Sequence, residues 1–266
     1  MNFLADIIAL KRQRIDEARS RTPLDLVRES ALDVIRSRNV HAFSNALKDA
    51  NRVNIIAEFK RRSPSKGLIR PGANPVELAG LYQAGGAVAM SVLTEEDHFD
   101  GSLEDLRRVK STVNLPVLRK DFVVDAYQIY EAAANGADAV LLIVAALDDD
   151  SLRSFRELAE DQLQLDALVE VHTSAEMERA NNIGARLVGV NNRNLNTFEV
   201  AIETSFDLAP MANPDAILVS ESGLYQAEDV KRLREAGYRA FLIGETLMRS
   251  AQPENTLKTF VEMAGA

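Results

Sequence analysis

The sequence predicts an α/β fold, a (β/α)8 barrel that follows an N-terminal helical extension. In four segments a glycine ends a helical stretch and an apolar run rich in β-branched residues follows. These glycines are 50, 48 and 53 positions apart: Gly86, Gly136, Gly184 and Gly237. A glycine just past a helix end adopts the left-handed conformation without strain, and the apolar run suits a parallel strand buried on both faces. Each segment therefore predicts a helix-to-strand junction.

Four further apolar runs alternate with these segments, and they begin at Val53, Pro116, Leu165 and Asp215. Each is followed by a stretch with helical periodicity that opens on a capping residue or a proline and closes on a glycine: 74–86, 125–136, 173–184 and 226–237. Eight strands that alternate with helices predict a parallel sheet, and an even spacing of roughly 25 residues matches a closed TIM barrel. A doubly wound open sheet is the alternative, which the even repeat disfavours.

Residues 1–48 lie outside the eight units and contain three helical patterns, at 4–19, 23–30 and 42–50. No low-complexity linker separates them from the barrel at 52–266. We therefore expect the extension to pack on the barrel within one domain that spans 1–266.

Composition excludes several function classes. The net charge of -9, from 31 basic and 40 acidic residues, argues against a nucleic-acid partner or an anionic membrane surface. The absence of cysteine excludes disulfides and thiol chemistry, and three separated histidines predict that there is no metal site. The first 20 residues lack a signal-peptide pattern, and the longest uncharged apolar run, 139–147, is too short to span a bilayer. We expect a cytoplasmic protein.

Polar residues end several of the apolar strands. Because the carboxyl ends of barrel strands meet on one face, we expect these side chains to surround one cavity. They are Glu58, Lys60, Lys120, Glu170, Asn191, Glu221 and Ser222. Solvated charges at the barrel rim are the alternative interpretation, but so many polar positions inside apolar runs favour a site. Lysines and carboxylates that share a pocket have coupled proton affinities and can act as acid and base.

The three histidines are poorer candidates for acid and base. His172 follows Glu170 at a spacing that puts both on one face, yet a solvated loop or a helix-capping position is the simpler interpretation. Glycine-containing segments at 220–223 and 243–246 follow the last two strands, where many barrels bind phosphate through backbone N–H groups. There we expect the side chain of Glu245 to face solvent.

The loop at 61–75 is long for a connection from strand to helix, and it carries four basic residues: Arg61, Arg62, Lys66 and Arg70. A mobile surface loop is one interpretation. We favour a lid that gathers an anionic substrate, because an acidic protein needs a local basic cluster to attract such a ligand.

Five segments of the chain resemble the signature segments of indole-3-glycerol phosphate synthases, in the same order. They are IAEFKRRSPSKG (56–67), PVLRKDF (116–122), ALVEVH (167–172), GVNNRNL (189–195) and VSESG (219–223). The resemblance covers essentially the whole chain. It implies a cofactor-free lyase of tryptophan biosynthesis that converts 1-(2-carboxyphenylamino)-1-deoxyribulose 5-phosphate into indole-3-glycerol phosphate, carbon dioxide and water.

The resemblance also implies roles for single residues. Lys120 is similar to the general acid that protonates the substrate carbonyl, Glu170 to its partner in the dehydration, and Lys60, held by Glu58, to the lysine that contacts the substrate carboxylate. Which lysine acts in which step stays open. Glu221 is similar to a further member of the family's charged network, and Asn191, Arg193 and Ser63 are similar to residues that orient the substrate. Phe99, Phe122 and Leu195 resemble the residues that contact the aromatic ring. Ser222, Gly223, Gly244 and Glu245 lie where the family binds phosphate through backbone groups.

Two rival functions stay open. A sugar-phosphate isomerase such as phosphoribosylanthranilate isomerase would share the phosphate site. That family has a Cys and Asp acid-base pair, however, and this chain has no cysteine. A catalytically silent sensor or scaffold would not need Lys60, Lys120 and Glu170. We expect a small phosphorylated anthranilate sugar as the partner, no metal or cofactor, and a monomer or weak homodimer.

Overall fold

The computed structural model describes residues 3–36 and 38–265, and a closed barrel of eight parallel strands forms its centre. Each strand pairs with its neighbours in chain order, and the last pairs with the first. The strands are β1 (Asn54–Phe59), β2 (Ala89–Leu93), β3 (Val117–Lys120), β4 (Ala139–Ile143), β5 (Asp166–Val171), β6 (Leu187–Asn191), β7 (Ile217–Glu221) and β8 (Ala240–Ile243). The predicted barrel is confirmed, and the open-sheet alternative is wrong.

Helices follow the strands and cover the outside of the barrel. They are α4 (Pro75–Ala84), α5 (Leu103–Lys110), α6 (Ala126–Ala134), α7 (Asp149–Glu157), α8 (Ser174–Asn182), α9 (Glu203–Leu208), α10 (Ala227–Glu235), α11 (Glu245–Arg249) and α12 (Pro253–Met263). Three of the four predicted caps are present: the side chains of Asn74, Asp125 and Thr173 each accept a hydrogen bond from a backbone N–H of the first helical turn. At the fourth, the backbone N–H of Gln226 donates to Asp229.

The N-terminal extension forms three helices, α1 (Phe3–Arg21), α2 (Leu24–Ile35) and α3 (Ala42–Ala46). Helix α2 is longer than predicted because its apolar spacing continues to Ala31 and Ile35, which pack against the outer core. Helix α3 is shorter than predicted. The Asn54 side chain donates to the carbonyls of Leu47 and Asp49, which holds the chain after α3 in a turn.

Side chains alternate between the inside and the outside of the barrel along each strand. Inside, an apolar cluster includes Ile56, Leu118, Leu168 and Val219, whereas their neighbours in sequence pack outward under the helices. Two positions further along each of these four strands, the inward-facing residue is charged. The strand period therefore carries four charged side chains into the carboxyl end of the barrel.

A buried ion pair attaches α1 to this end of the barrel. The side chain of Lys11 is 4% exposed, and its Nζ lies 2.9 Å from Asp121 and 2.8 Å from Glu96. Asp121 follows β3 directly and also accepts a hydrogen bond from Thr94 at 2.7 Å. The expectation that the extension packs on the barrel is confirmed. No helix in the described ranges is long and apolar enough to cross a membrane.

We predict that Lys11→Met lowers the free energy of unfolding by about 2 kcal/mol, because the buried Asp121 carboxylate loses its ammonium partner and keeps only the Arg119 guanidinium and the Thr94 hydroxyl. Arg14→Met is the matched control. Arg14 lies on the same helix and pairs with Asp97 at 2.7 Å, but its side chain is 45% exposed, so the loss should stay below about 1 kcal/mol. Urea unfolding measures both. Equal losses in the two variants would contradict a dominant role for the buried pair.

Candidate functional site

A cleft opens at the carboxyl ends of the strands and contains about 820 Å³ of empty space, counting the solvent at its mouth. A smaller cavity adjoins it beside β7 and β8 and shares several lining residues with it. The family resemblance gave a role to fifteen residues, and all of them line one or both of these cavities: Glu58, Lys60, Ser63, Phe99, Lys120, Phe122, Glu170, Asn191, Arg193, Leu195, Glu221, Ser222, Gly223, Gly244 and Glu245.

The Lys120 cluster, which consists of Lys120, Glu170 and Glu221, forms the floor of the cleft. The Lys120 ammonium donates to Glu170 at 2.9 Å and makes a short contact with Glu221 on the other side. Both carboxylates are 1% exposed. Residues from β3, β5 and β7 that are 50 and 51 positions apart in sequence therefore form one continuous charged chain.

Burial and mutual attraction determine the proton affinities of this cluster. Burial lowers the pKa of Lys120, but the charges of Glu170, Glu221 and Glu58 outweigh burial, so the pKa lies above its ordinary value and the ammonium is protonated near neutral pH. Burial raises the pKa of Glu221 to about 7, because Lys120 only partly compensates it and Glu170 adds repulsion. For Glu170 the attraction of Lys120 and His172 outweighs burial and lowers the pKa. One carboxyl of the pair thus keeps its charge while the other can take up a proton.

A second lysine faces the same cleft. Lys60 Nζ lies 2.7 Å from Glu58 Oε1, and Ser91 donates to the other oxygen of Glu58 at 3.3 Å. The expected contact between Lys60 and Glu58 is confirmed. A Cβ at Gly244 would lie 2.5 Å from Glu58 Oε1, so a glycine there leaves space for this carboxylate.

Gly189 has a similar role that the sequence analysis missed. It lies on β6 opposite Glu170, and a Cβ there would collide with the carboxylate of Glu221. A glycine in the middle of an apolar strand weakens the strand and indicates close approach by another group. That signal was present in the sequence, but the identity of the approaching group was not.

Apolar side chains form one wall of the cleft. The rings of Phe99 and Phe122 lie 6.3 Å apart, and Leu195 packs with the same cluster. Two further rings line the cleft and were missed in the sequence: Phe3 from α1 and Phe198, whose centroids are 5.1 Å apart in an edge-on arrangement. The N-terminal extension therefore contributes directly to the cleft.

The opposite end of the cleft consists of backbone from the loops after β7 and β8. Ser222 and Gly223 both have left-handed backbones, with φ of 66° and 76°, so the chain turns sharply where β7 ends. The expectation that the Glu245 side chain faces solvent is wrong. It is 17% exposed, pairs with Arg249 at 3.0 Å and lies 3.9 Å from Arg193, because two guanidinium groups hold it against the protein.

The loop at 61–75 contains a small antiparallel hairpin in which Arg62–Ser63 pairs with Gly67–Leu68. The Arg61 side chain is engaged within the protein and not with an anion from solvent. Its guanidinium makes two hydrogen bonds to Asp105, at 2.5 and 2.8 Å, and lies over the ring of Phe59. Arg61 thus anchors the loop. Its exposed basic residues are Arg62 and Lys66, and whether they gather substrate stays a prediction.

A solvated loop at His172 is wrong, whereas the helix cap at Thr173 is confirmed. The side chain of His172 is 12% exposed and lies between two carboxylates, with Nδ1 3.2 Å from Glu176 and Nε2 3.4 Å from Glu170. The alternation along β5 indicated a shared face with Glu170, and Glu176 reaches the ring from four residues further along the chain, in the first turn of α8.

Among the described residues, one group of three acidic side chains is close enough to hold a metal ion: Glu95, Glu96 and Asp97. The protein already supplies partners for these carboxylates. Glu96 contacts Lys11, Asp97 contacts Arg14, and Glu95 accepts hydrogen bonds from three backbone N–H groups. The expectation that no metal or cofactor takes part stays a prediction.

Solved structures with a similar fold include thiamine phosphate pyrophosphorylase from Pyrococcus furiosus, at a TM-score of 0.61 and 15% identity over 81% of this chain and 96% of that chain. N-acetylmannosamine-6-phosphate 2-epimerase from Clostridium perfringens matches at a TM-score of 0.60 and 14% identity, over 80% of this chain and 93% of that chain. At these identities the likeness shows the fold alone.

The sequence comparisons are more specific. The family model for indole-3-glycerol phosphate synthase matches residues 4–260. Relatives with that name include proteins of Bacteroides thetaiotaomicron, 45% identical over 98% of both chains, and of Nocardioides sp., 48% identical over 97% of both. A relative from Polaromonas sp. is 46% identical over 95% of both chains. Since the match spans nearly the whole barrel and its extension, the chain belongs to the indole-3-glycerol phosphate synthase family.

Proposed function

We propose that the Lys120 cluster is the catalytic centre of an indole-3-glycerol phosphate synthase, which closes the indole ring of 1-(2-carboxyphenylamino)-1-deoxyribulose 5-phosphate. The products are indole-3-glycerol phosphate, carbon dioxide and water. The observation that carries the proposal is the position of one protonated lysine between two buried carboxylates, in a cleft with an apolar wall on one side and glycine-containing loops on the other.

The first step joins the aromatic carbon that bears the carboxylate to the carbonyl carbon of the sugar chain. As that bond forms, the carbonyl oxygen gains an electron pair and needs a proton. Lys120 is the general acid in our proposal, because its raised pKa keeps the ammonium charged until the oxygen becomes basic. Loss of carbon dioxide then returns the electron pair of the breaking bond to the ring.

The second step removes water. The new hydroxyl leaves with a proton from an acid, and a base takes the proton whose loss forms the double bond of the indole. Glu170 either takes this proton itself or passes it on, since its pKa is lowered and it is ionised near neutral pH. Lys60, held by Glu58, contacts the substrate carboxylate and is the second source of a proton.

The rest of the cleft suits the other parts of the substrate. Apolar walls orient the aromatic ring, which lowers the entropic cost of ring closure: Phe99, Phe122 and Leu195. Backbone N–H groups at 222–223 and 244–245 bind the phosphate in our proposal. Ser63, Asn191 and Arg193 orient the substrate, and Arg193 reaches the lid loop through a 3.3 Å hydrogen bond to Ser65.

The rival functions have less support. The phosphoribosylanthranilate isomerase family has a Cys and Asp acid-base pair and this chain has no cysteine, while a silent sensor would not need a lysine buried between carboxylates. We further propose that residues 1–266 form a single domain, because Phe3 of the N-terminal extension lines the cleft together with residues of the barrel. A weak homodimer, a cytoplasmic location and the lack of a nucleic-acid partner stay predictions.

The activity is tested by mixing the purified protein with the carboxyphenylamino-deoxyribulose phosphate in a chelating buffer and following indole fluorescence. We expect product to form without added metal. A flat signal, together with intact folding by circular dichroism, would favour the isomerase or sensor alternative.

We predict that Lys120→Met reduces kcat by at least about 10³-fold and changes the substrate Kd by less than about tenfold, because the ammonium acts mainly in the transition state. Single-turnover kinetics and equilibrium titration measure the two quantities. Lys258→Met is the matched control, since Lys258 lies on the surface and pairs with Glu254 one helical turn away. Near-normal turnover of Lys120→Met would transfer the acid role to another residue.

We predict that Glu221→Gln changes how stability depends on pH. The folded-state pKa of Glu221, about 7, exceeds the ordinary value of 4.5, so the folded protein holds this proton more tightly than the unfolded chain. The stabilisation that this bound proton gives the folded state is complete below about pH 4.5 and disappears as the pH rises through 7. Between pH 5 and 8 the free energy of unfolding should therefore fall more in the wild type than in Glu221→Gln, as measured by urea titration. Parallel curves would contradict the raised pKa.

A further inference from the structure

His172 lies behind the Lys120 cluster, outside the set of residues that line the cleft. It follows β5 directly and lies two positions after Glu170, so both side chains point to the same side of the strand. Its Nε2 is buried, has no hydrogen-bond partner among the described residues and lies 3.4 Å from Glu170 Oε1. That distance is just beyond a normal N–H···O hydrogen bond.

Glu176 holds the other side of the imidazole. Its Oε2 accepts a hydrogen bond from the backbone N–H of His172 at 2.7 Å and lies 3.2 Å from Nδ1 of the same residue. Glu176 is in the first turn of α8, where the Thr173 hydroxyl caps its backbone N–H, and the helix dipole there stabilises a negative charge. The carboxylate of Glu176 is therefore fixed, and it orients the ring so that Nε2 faces Glu170.

We propose that His172, clamped by Glu176, is a positioning residue whose imidazolium keeps the Glu170 carboxylate ionised and directed at Lys120. The geometry forms one chain, Glu176–His172–Glu170–Lys120, that runs from the first turn of α8 to the floor of the cleft. This inference rests on the proposed role of Glu170 in catalysis, and it goes beyond that role because it names what controls the charge of Glu170.

The charges around the ring support the imidazolium. Those that face it are Glu170 from β5, Glu176 from α8 and Glu221 from β7, all of them acidic. Burial lowers the pKa of His172, but the hydrogen bond to Glu176 and these three charges outweigh burial and raise the pKa above its ordinary value. The same attraction acts on Glu170, for which His172 is one cause of the lowered pKa, after burial and Lys120.

The test compares the pH dependence of kcat in the wild type and in His172→Gln. Glutamine keeps a donor near Glu170 but carries no charge, so we expect the pKa of Glu170 to rise and the acid limb of the kcat profile to move to higher pH by about one unit, a tenfold lower kcat at a pH below both midpoints. On the alkaline side Glu170 is ionised in both proteins, so the two kcat values should agree to within about twofold. Because His172 does not line the cleft, KM should change little. A purely structural role would give the same ratio of kcat values at every pH and would overturn the proposal.

His41→Gln is the matched control. His41 lies 3.3 Å from Asp166 at the amino end of the same strand, on the far side of the barrel from the cleft, so its ratio to the wild type should not change with pH. If His172→Gln does not fold, Glu176→Gln replaces it. In that variant the His172 ring should lose its proton at a lower pH than in the wild type, and an unchanged pH profile of kcat would overturn the proposal.

An NMR titration of the three imidazoles separates this inference from the proposed function. Coupling between two sites is reciprocal, so Glu170→Gln should lower the titration midpoint of His172 by about one pH unit or more. If the wild type forms no indole product, the proposed function fails, and this midpoint still decides whether His172 and Glu170 are coupled. If the wild type is active and the midpoint does not move, only the positioning role fails.

Discussion

The Lys120 ammonium between two buried carboxylates is the interaction on which the rest of the site depends. Each carboxylate would be costly to bury alone, and the lysine would lose its proton in an apolar barrel without them. Together they keep one ammonium and one carboxylate charged in the absence of bulk water, while Glu221 can take up a proton near neutral pH. Acid and base chemistry is then available from groups whose ordinary pKa values lie far from 7.

The barrel makes this arrangement possible through its period of two. Apolar residues fill the interior up to the last layer, and the next inward position on four strands is charged. Space for the carboxylates comes from two glycines on neighbouring chain segments, Gly189 beside Glu221 and Gly244 beside Glu58. The absence of a side chain at these positions is as necessary to the site as the charges are.

A second layer of ion pairs connects the site to the surrounding elements. Lys11 connects the N-terminal extension to Asp121, next to Lys120 in sequence, and Arg61 connects the loop at 61–75 to Asp105. His172 and Glu176 connect the first turn of α8 to the cluster. Each connection fixes a segment that follows or flanks a barrel strand, so helices outside the barrel determine where the side chains inside it point.

The sequence by itself determined the barrel, most helix ends and the set of strand-end residues that line the cleft. These are local properties: a strand alternates every two residues, a cap lies within one turn of its helix, and glycines at intervals of about 50 residues mark repeated units. Only the tertiary structure decided which groups pair. The pairs of Arg61 with Asp105, Lys11 with Asp121 and Arg193 with Glu245 depend on strand register and helix packing, because a charged side chain takes whichever partner the fold places within a few ångströms, wherever that partner lies in the chain.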